Sequence, residues 1–173
     1  MAPGRACCRA RTSRGRPRVC HAARPEFAGY FPCHVTLKAL PGLPPLRNAG
    51  VVRAVIETFR AGAARSAFRL LEFSIQDDHL HAIVEADGPA ALGRGMKSLA
   101  ARFAKAVNRG LGRRGPVLRD RYHLHVLRTL REVRNAIRYV LNNARRHCIR
   151  AGRAPVRVAQ VDPASSGAWF LGW

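Results

Sequence analysis

The sequence predicts an α+β domain built on one four-stranded antiparallel sheet, and three observations support this prediction. Strand-like segments with alternating apolar residues are separated by segments whose apolar residues recur every three or four positions. Two of the strand-like segments are separated only by Asp77-Asp78, which is typical of a tight hairpin turn. A Thr-x-x-Glu capping box at 129–132 sets the start of a last helix. The 173 residues are enough for one domain with its own core.

The first half of the chain is predicted to contain three strands and one helix. Residues 34–40 alternate apolar and polar side chains, which predicts the first strand. Between residues 46 and 64 the apolar residues lie three and four positions apart, and Asn48 is a suitable N-cap. This segment is therefore predicted to be an amphipathic helix. Residues 68–76 and 79–85 are rich in strand-forming side chains and are expected to form the two arms of the hairpin.

The second half is predicted to add a helix, a strand and another helix. Gly88-Pro89 ends the hairpin, and a helix with one apolar face spans residues 90–110. That face consists of Leu92, Met96, Leu99, Phe103 and Val107. A glycine-rich loop leads into a strand at 117–128, and the capping box begins a helix expected to run from Thr129 to about His147.

This order, β-α-β-β-α-β followed by a C-terminal helix, matches the ferredoxin-like split βαβ arrangement. Such a domain has a four-stranded antiparallel sheet with two helices on one face and an open second face. The strand at 79–85 is central in that arrangement, and the C-terminal helix is expected to lie near the open face.

The positive charge of the chain is strongly segregated. Of the net charge of +21, residues 1–25 carry +7 and residues 88–161 carry +16, whereas residues 26–87 carry −1. We interpret residues 1–25 as a disordered basic arm, 26–150 as the folded domain and 151–173 as a tail that packs on or near the core. A basic half beside a near-neutral half indicates a polyanionic partner, for which nucleic acid is the obvious choice.

The remaining composition indicates a cytoplasmic, nucleoid-associated protein. The five cysteines are odd in number and lack a CxxC or spaced framework, so they are expected to be reduced thiols. No apolar run reaches the ~20 residues needed to cross a bilayer. The arginines near the N-terminus are not followed by the apolar segment of a secretory signal, so no membrane partner is expected.

Two histidines, His79 and His81, lie two positions apart within an apolar segment. In a β-strand residues i and i+2 point to the same face, so both imidazoles leave one side together. Imidazole is a common ligand of divalent metals, and the pair therefore predicts a metal site. Because His-x-His also recurs by chance, a purely structural role remains the alternative.

A second His-x-His motif, His123-Leu124-His125, competes for the metal because it also lies on a predicted strand. Three arginines flank it, Arg119, Arg121 and Arg128, and their charge repels a cation and attracts phosphate. We therefore assign His123 and the arginines before it to DNA contact.

The last predicted helix carries a tyrosine that packing does not explain. Tyr139 and Asn143 share a face, with Asn135 one turn earlier and Arg146 one turn later. A phenol can attack a phosphodiester when a neighbouring metal polarises the phosphate. The amide oxygen of Asn143 would complete the coordination begun by the histidine pair, and such a ligand set suits Mg²⁺ or Mn²⁺. The alternative is that Tyr139 is an ordinary helix-surface residue.

Taken together, these motifs resemble those of the single-tyrosine HUH transposases, and most of all the REP-associated tyrosine transposases. The resemblance covers about residues 30–150 and depends on four motifs occurring jointly and in order. These motifs are His79-Leu80-His81 followed by Ala-Ile-Val-Glu, Gly93-Arg94-Gly95-Met96, Gly115-Pro116-Val117-Leu118-Arg119-Asp120-Arg121-Tyr122-His123, and Arg138-Tyr139-Val140-Leu141-Asn142-Asn143.

The resemblance implies a ferredoxin-like core, a divalent metal held by the two histidines and Asn143, and Tyr139 as nucleophile. The implied activity is cleavage and rejoining of single-stranded DNA next to a hairpin, through a 5′-phosphotyrosine and a free 3′-hydroxyl. Two positions depart from the family pattern. Asp78 stands where many relatives have asparagine, and Ala144 stands where many have proline, but neither departure removes a catalytic group.

The basic residues outside the metal motif are predicted to contact single-stranded DNA hairpins of the REP type. A solvated basic face is the alternative, although the near absence of acids there favours a phosphate track. The predicted DNA-contacting residues are Arg94, Lys97, Arg102, Lys105, Arg113, Arg114, Arg119, Arg121 and His123. The alternative function is a catalytically silent module that binds DNA or RNA hairpins on the same fold. The sequence leaves open a monomer or a homodimer.

Overall fold

The computed structural model describes residues 31–62, 67–150 and 161–172. The predicted basic arm at 1–25, the first ten residues of the predicted tail and Trp173 lie outside these ranges. Within them, no helix is both long enough and apolar enough to cross a membrane.

A four-stranded antiparallel sheet forms the centre of the fold. Its strands are β1 (Cys33–Lys38), β2 (Phe68–Ile75), β3 (His79–Ala86) and β4 (His123–Val126). They lie in the order β2-β3-β1-β4, and each strand is antiparallel to its neighbours. This is the ferredoxin-like split βαβ order, so the predicted fold class is confirmed, with the histidine strand β3 in a central position.

The turn between β2 and β3 holds the start of the histidine strand in place. Ile75 pairs with Leu80, and the backbone N–H of Gln76 donates to the carbonyl of His79 at 2.8 Å. Asp77 and Asp78 are thus the two central residues of the tight turn, as predicted. The Asp78 carbonyl also accepts a hydrogen bond from the Ala39 N–H at 2.8 Å, which ties the turn to the residue after β1.

Two helices, α1 (Ala49–Arg60) and α2 (Pro89–Gly110), pack on one face of the sheet and bury the main core. Asn48 caps α1 as predicted, because its side chain accepts a hydrogen bond from the Val51 N–H at 3.1 Å. The predicted apolar face of α2 is buried along its whole length. The end of α2 approaches the start of α1 so closely that a Cβ on Gly110 would lie 2.5 Å from the Val51 Cα, which leaves room only for glycine.

A third helix, α3 (Leu130–Leu141), packs on the opposite face of the sheet and makes a second, smaller core. This core joins Ala136 and Val140 of α3 to Ile83 of β3 and to Leu127, which follows β4. The predicted capping box is present, since the Glu132 N–H donates to the Thr129 hydroxyl and the Thr129 N–H donates to the Glu132 carboxylate. The box fixes where α3 begins and so sets which of its residues face the sheet.

The predicted strand at 117–128 is wrong in length. Ala39 forms an isolated bridge with Leu118, whereas Thr36 pairs with His123, so this edge carries two extra residues beside β1. The extra length forms a bulge over residues 119–122, and only His123–Val126 remain as β4. The bulge breaks the flat edge of the sheet and presents charged side chains there.

The predicted continuous helix from Thr129 to His147 is also wrong, because it consists of two helices. Asn142 leaves helical geometry, with φ −99° and ψ 10°, and ends α3. A short helix, α4 (Asn143–Arg150), follows directly. The Asn142 amide donates to the Arg138 carbonyl at 3.0 Å, so its side chain bonds back to the last turn of α3 and competes with continuation of the helix.

The described part of the C-terminal segment lies along the outer edge of β2. Ser165 bridges to Ser74, and the Ser166 hydroxyl accepts a hydrogen bond from the Phe73 N–H at 2.9 Å. An ion pair at 2.6 Å between Arg47 and Asp162 ties the segment to the loop before α1. These bonds satisfy backbone groups that an edge strand otherwise exposes to water.

Candidate active site and metal centre

The face of the sheet opposite the main core carries five histidines. Residues that are directly paired across strands point to the same face. Thr36 of β1 pairs with both His81 and His123, and its neighbour His34 pairs with Ile83 and His125. The five histidines on this face are His34, His79, His81, His123 and His125.

The rings of His79 and His81 meet edge to face, with their centroids 4.5 Å apart. Their Nε2 atoms lie 2.9 Å from each other. The outer nitrogen of each ring has a partner of its own, because His79 Nδ1 lies 2.5 Å from the Asp78 carboxylate and His81 Nδ1 lies 3.1 Å from His34 Nε2. The Thr36 hydroxyl is also 3.1 Å from His81 Nδ1. Partners at both outer nitrogens leave the two Nε2 atoms directed at one point.

The two Nε2 atoms lie at the distance of an N–H···N hydrogen bond. The same short separation is compatible with two neighbouring ligands of one divalent ion. Within the described ranges, no group of three or more His, Cys, Asp and Glu is arranged to hold a metal.

Electrostatics around the pair favour a cation. Partial burial tends to raise the pKa of the Asp78 carboxyl, but the hydrogen bond and charge of His79 lower it overall, so Asp78 is an anion at neutral pH. Burial, with a smaller contribution from the charge of His125, lowers the pKa of His34 to about 4. His34 is therefore neutral at pH 7 and adds no positive charge beside His81.

Tyr139 lies on α3 against this pair. Its ring centroid is 5.1 Å from that of His81 and 5.8 Å from that of His34, both in edge-to-face contact. The side chain is 36% exposed, so solvent and a ligand can reach it. The Arg146 guanidinium lies 5.6 Å from the ring centroid, within the range of a cation–π contact. The structure thus places Tyr139 beside His81, one of the three predicted metal ligands.

Asn143, the predicted third ligand, is the first residue of α4 and is only 2% exposed. Its Nδ2 is buried and has no hydrogen-bond partner among the described residues. Such an atom costs free energy unless something else satisfies the amide, and the two ends of an amide exchange by rotation about χ2. Burial and an unsatisfied amide are compatible with a ligand role.

A cleft of about 740 Å³ opens beside Tyr139, between the α3–α4 corner and β4. His34 and His125 line its sheet side, and three arginines line its helical side. These arginines are Arg138, Arg145 and Arg146. A phenol at the wall of a cationic cleft is well placed to meet a phosphodiester.

One solved structure, of a REP-associated tyrosine transposase bound to a REP hairpin, matches this fold with a TM-score of 0.54. The match covers 75% of this chain and 74% of that chain, at 17% sequence identity. The chain has the fold of a REP-associated tyrosine transposase. No family model matches the sequence, and no curated protein matches it.

On this transposase fold the predicted DNA-contacting residues fall into two groups. Arg94, Lys97, Arg102 and Lys105 lie on α2, which covers the face of the sheet opposite Tyr139. The structure does not bring these four to the cleft. The other group lies in the loop after α2, in the bulge and on β4, and its members are Arg113, Arg114, Arg119, Arg121 and His123.

Two kinds of residue near Tyr139 received no role in the sequence prediction. His34 alternates with the buried residues of β1. Its position in the strand therefore already predicted that it lies on the same face of the sheet as His79 and His81. Arg138 and Arg145 also line the cleft, although neither lies three or four residues from Tyr139 along the helix. No signal in the sequence identified them, because the corner between α3 and α4 sets their direction.

Proposed function

We propose that this chain is a transposase-like enzyme that cleaves and rejoins single-stranded DNA next to hairpins. Tyr139 is the nucleophile, and His79, His81 and Asn143 hold Mg²⁺ or Mn²⁺. The observation that carries the proposal is the contact of the Tyr139 ring with His81, whose Nε2 faces that of His79 at 2.9 Å. The fold shared with a transposase bound to a REP hairpin supports the same conclusion.

In the proposed reaction the Tyr139 hydroxyl oxygen attacks the scissile phosphorus and loses its proton. An O–P bond forms, the bond from phosphorus to the 3′-oxygen breaks, and the 3′-oxygen takes up a proton. The products are a 5′-phosphotyrosine and a 3′-hydroxyl. A bound divalent ion supplies Lewis-acid polarisation of the phosphate. Attack by a 3′-hydroxyl on the phosphotyrosine reverses the step and rejoins the strand, so no further energy source is needed.

The cleft beside Tyr139 provides the path for the scissile strand. Arg138, Arg145 and Arg146 neutralise phosphates there, and His125 lies across from them. We propose that the basic residues in the loop after α2, in the bulge and on β4 contact the DNA where it continues past the β4 edge of the sheet. The α2 group, including Arg94 and Arg102, contacts the hairpin only if the DNA wraps around the domain.

One chain contains all the residues of the proposed site, so we propose that the working unit is a monomer. Tyr139 lies against His81 of its own chain, and no exchange of α3 between copies is needed to bring them together. A homodimer that exchanges α3 between its two copies is the second arrangement. A mixture of two inactive variants distinguishes it from the monomer.

The test uses hairpin oligonucleotides with single-stranded flanks on either side, incubated with the full chain and Mn²⁺. We expect a protein–DNA species that survives denaturant, is lost with EDTA and is absent in Tyr139→Phe. Phenylalanine keeps the ring contacts, so hairpin affinity should stay within about twofold. Tyr122→Phe, a tyrosine in the bulge away from the histidine pair, is the matched control and should form the adduct.

An adduct of normal yield in Tyr139→Phe would refute the assignment of the nucleophile. Hairpin binding without any adduct, across substrates that vary in flanking sequence, would instead support the silent binding module.

A further inference from the structure

His34 touches both parts of the proposed site. Its Nε2 lies 3.1 Å from Nδ1 of His81, and its ring lies 5.0 Å from the ring of His81 and 5.8 Å from that of Tyr139, centroid to centroid. The three rings form one cluster between β1, β3 and α3. His34 and His81 both contact the Tyr139 ring edge to face.

His81 can bind a metal through Nε2 only when its single proton is on Nδ1. A neutral imidazole carries one proton, so a proton on Nδ1 leaves the Nε2 lone pair directed at an ion. A metal-binding histidine is normally held in this tautomer by an acceptor at its other nitrogen. His79 has such an acceptor in the carboxylate of Asp78. The corresponding nitrogen of His81 lies beside His34 Nε2 and the Thr36 hydroxyl.

We propose that His34 is a positioning residue of this site, whose Nε2 accepts the Nδ1–H of His81 while its ring supports Tyr139. The inference rests on the proposed metal role of His79 and His81. His34 fixes the tautomer and ring direction of His81, and the same ring limits how far Tyr139 can turn away from the metal. Thr36 bonds to the same nitrogen, and its hydroxyl can accept or donate, so it shares in holding His81 while His34 alone also contacts Tyr139.

The experiment measures Mn²⁺ affinity of the full chain without DNA, by the loss of the free-ion electron paramagnetic resonance signal. His34→Leu removes the acceptor while keeping an apolar side chain of similar bulk, and His34→Gln keeps an acceptor at about the distance of Nε2. Thr36→Val removes the other bond to His81 and measures the separate share of that hydroxyl, whereas His34→Gln is the matched control for His34→Leu. Thermal melting by circular dichroism checks that each variant is folded.

We expect His34→Leu to weaken Mn²⁺ binding by about tenfold or more, as is typical for loss of a partner behind a metal ligand. His34→Gln should recover most of that loss, and Thr36→Val should weaken binding less than His34→Leu does, because the His34 acceptor remains. A folded His34→Leu variant with wild-type affinity overturns the proposal. So does a folded His34→Gln that is as weak as His34→Leu, because the acceptor would then not matter.

Mn²⁺ binding by the wild-type chain and by His79→Ala distinguishes a failure of this inference from a failure of the proposed function. If wild-type protein and His79→Ala bind Mn²⁺ equally weakly, the metal site itself fails and the role of His34 fails with it. If wild-type protein binds Mn²⁺ and His79→Ala does not, the metal site stands, and the variants of His34 then decide its role alone.

Discussion

The ring of Tyr139 meets the ring of His81 edge to face, with the two centroids 5.1 Å apart and the planes at 75°. One residue comes from a helix that crosses the histidine face and the other from the central strand beneath it. The small core around Val140 and Ile83 packs the two elements against each other. The predictions below test what this contact and its surroundings do.

The first prediction concerns which chain supplies the tyrosine. We expect a mixture of Tyr139→Phe and His79→Ala proteins to form no covalent adduct with hairpin DNA, because each active site needs both residues in one chain. Adduct yield on a denaturing gel is the measurement. Adduct in the mixture at about a quarter or more of the wild-type yield would show that α3 is exchanged between two copies.

A second prediction concerns the charge beside His79. Asp78→Asn keeps a hydrogen-bond acceptor for His79 but removes the negative charge, so Mn²⁺ affinity should fall by up to about tenfold. The effect should shrink with added salt, since the Asp78 side chain is 81% exposed. Asp77→Asn makes the same change of charge one residue away and should alter affinity much less. Equal effects of the two variants would mean that the contact with His79 has no special role.

A third prediction separates the two sets of basic residues. Arg146→Ala removes a cation from the cleft and from the Tyr139 ring, so affinity for single-stranded DNA should fall. The slope of log affinity against log salt should decrease by about 0.7. Arg134→Ala, on the exposed side of α3 and outside the cleft, is the matched control. Titrations at several salt concentrations provide the measurement.

The same titrations on Lys97→Ala of α2 test the sequence prediction directly. We expect a smaller loss than for Arg146→Ala with a short single strand, because α2 lies on the other face of the sheet. A larger loss for Lys97→Ala would place the DNA on the α2 face and argue against the cleft as its path.

A fourth prediction concerns pH and the metal-free protein in EDTA. His34 faces His81, His125 and Tyr139, and its pKa is lowered from 6.5 to about 4 in the folded chain. Below pH 6.5 the unfolded chain takes up a proton that the folded chain does not, so the free energy of unfolding should fall as pH falls from 6.5 to 4. A shift of this size corresponds to at most about 3 kcal/mol.

Urea unfolding at several pH values measures this dependence. His34→Gln has no such proton to take up, so its unfolding free energy should depend less on pH over the same interval. Identical profiles for wild type and variant would show that His34 titrates normally in the folded chain.

Local patterns in the sequence were sufficient for most of the fold. Strand alternation placed His79 and His81 on one face, and the capping box fixed the first residue of α3. Spacing of apolar residues identified the buried face of α2. These predictions succeed because periods of two and of 3.6 residues follow from backbone geometry and require no knowledge of distant parts of the chain.

The predicted strand and the predicted last helix failed for different reasons, one distant in sequence and one local. The bulge at 119–122 arises because β4 must stay in register with β1, and the break at Asn142 changes the direction of the chain between α3 and α4. Neither constraint leaves a periodic signal in the sequence.

The sequence by itself determined the order of the four strands and of α1 to α3, and which face of its strand or helix each of His79, His81 and Tyr139 occupies. Only the tertiary structure decided that His34 contacts both His81 and Tyr139, and that the arginines of the α3–α4 corner rather than those of α2 line the cleft. The physical reason is that a residue's face follows from its own backbone. Contact between faces depends instead on how the second core around Ile83 and Val140 packs α3 onto the sheet.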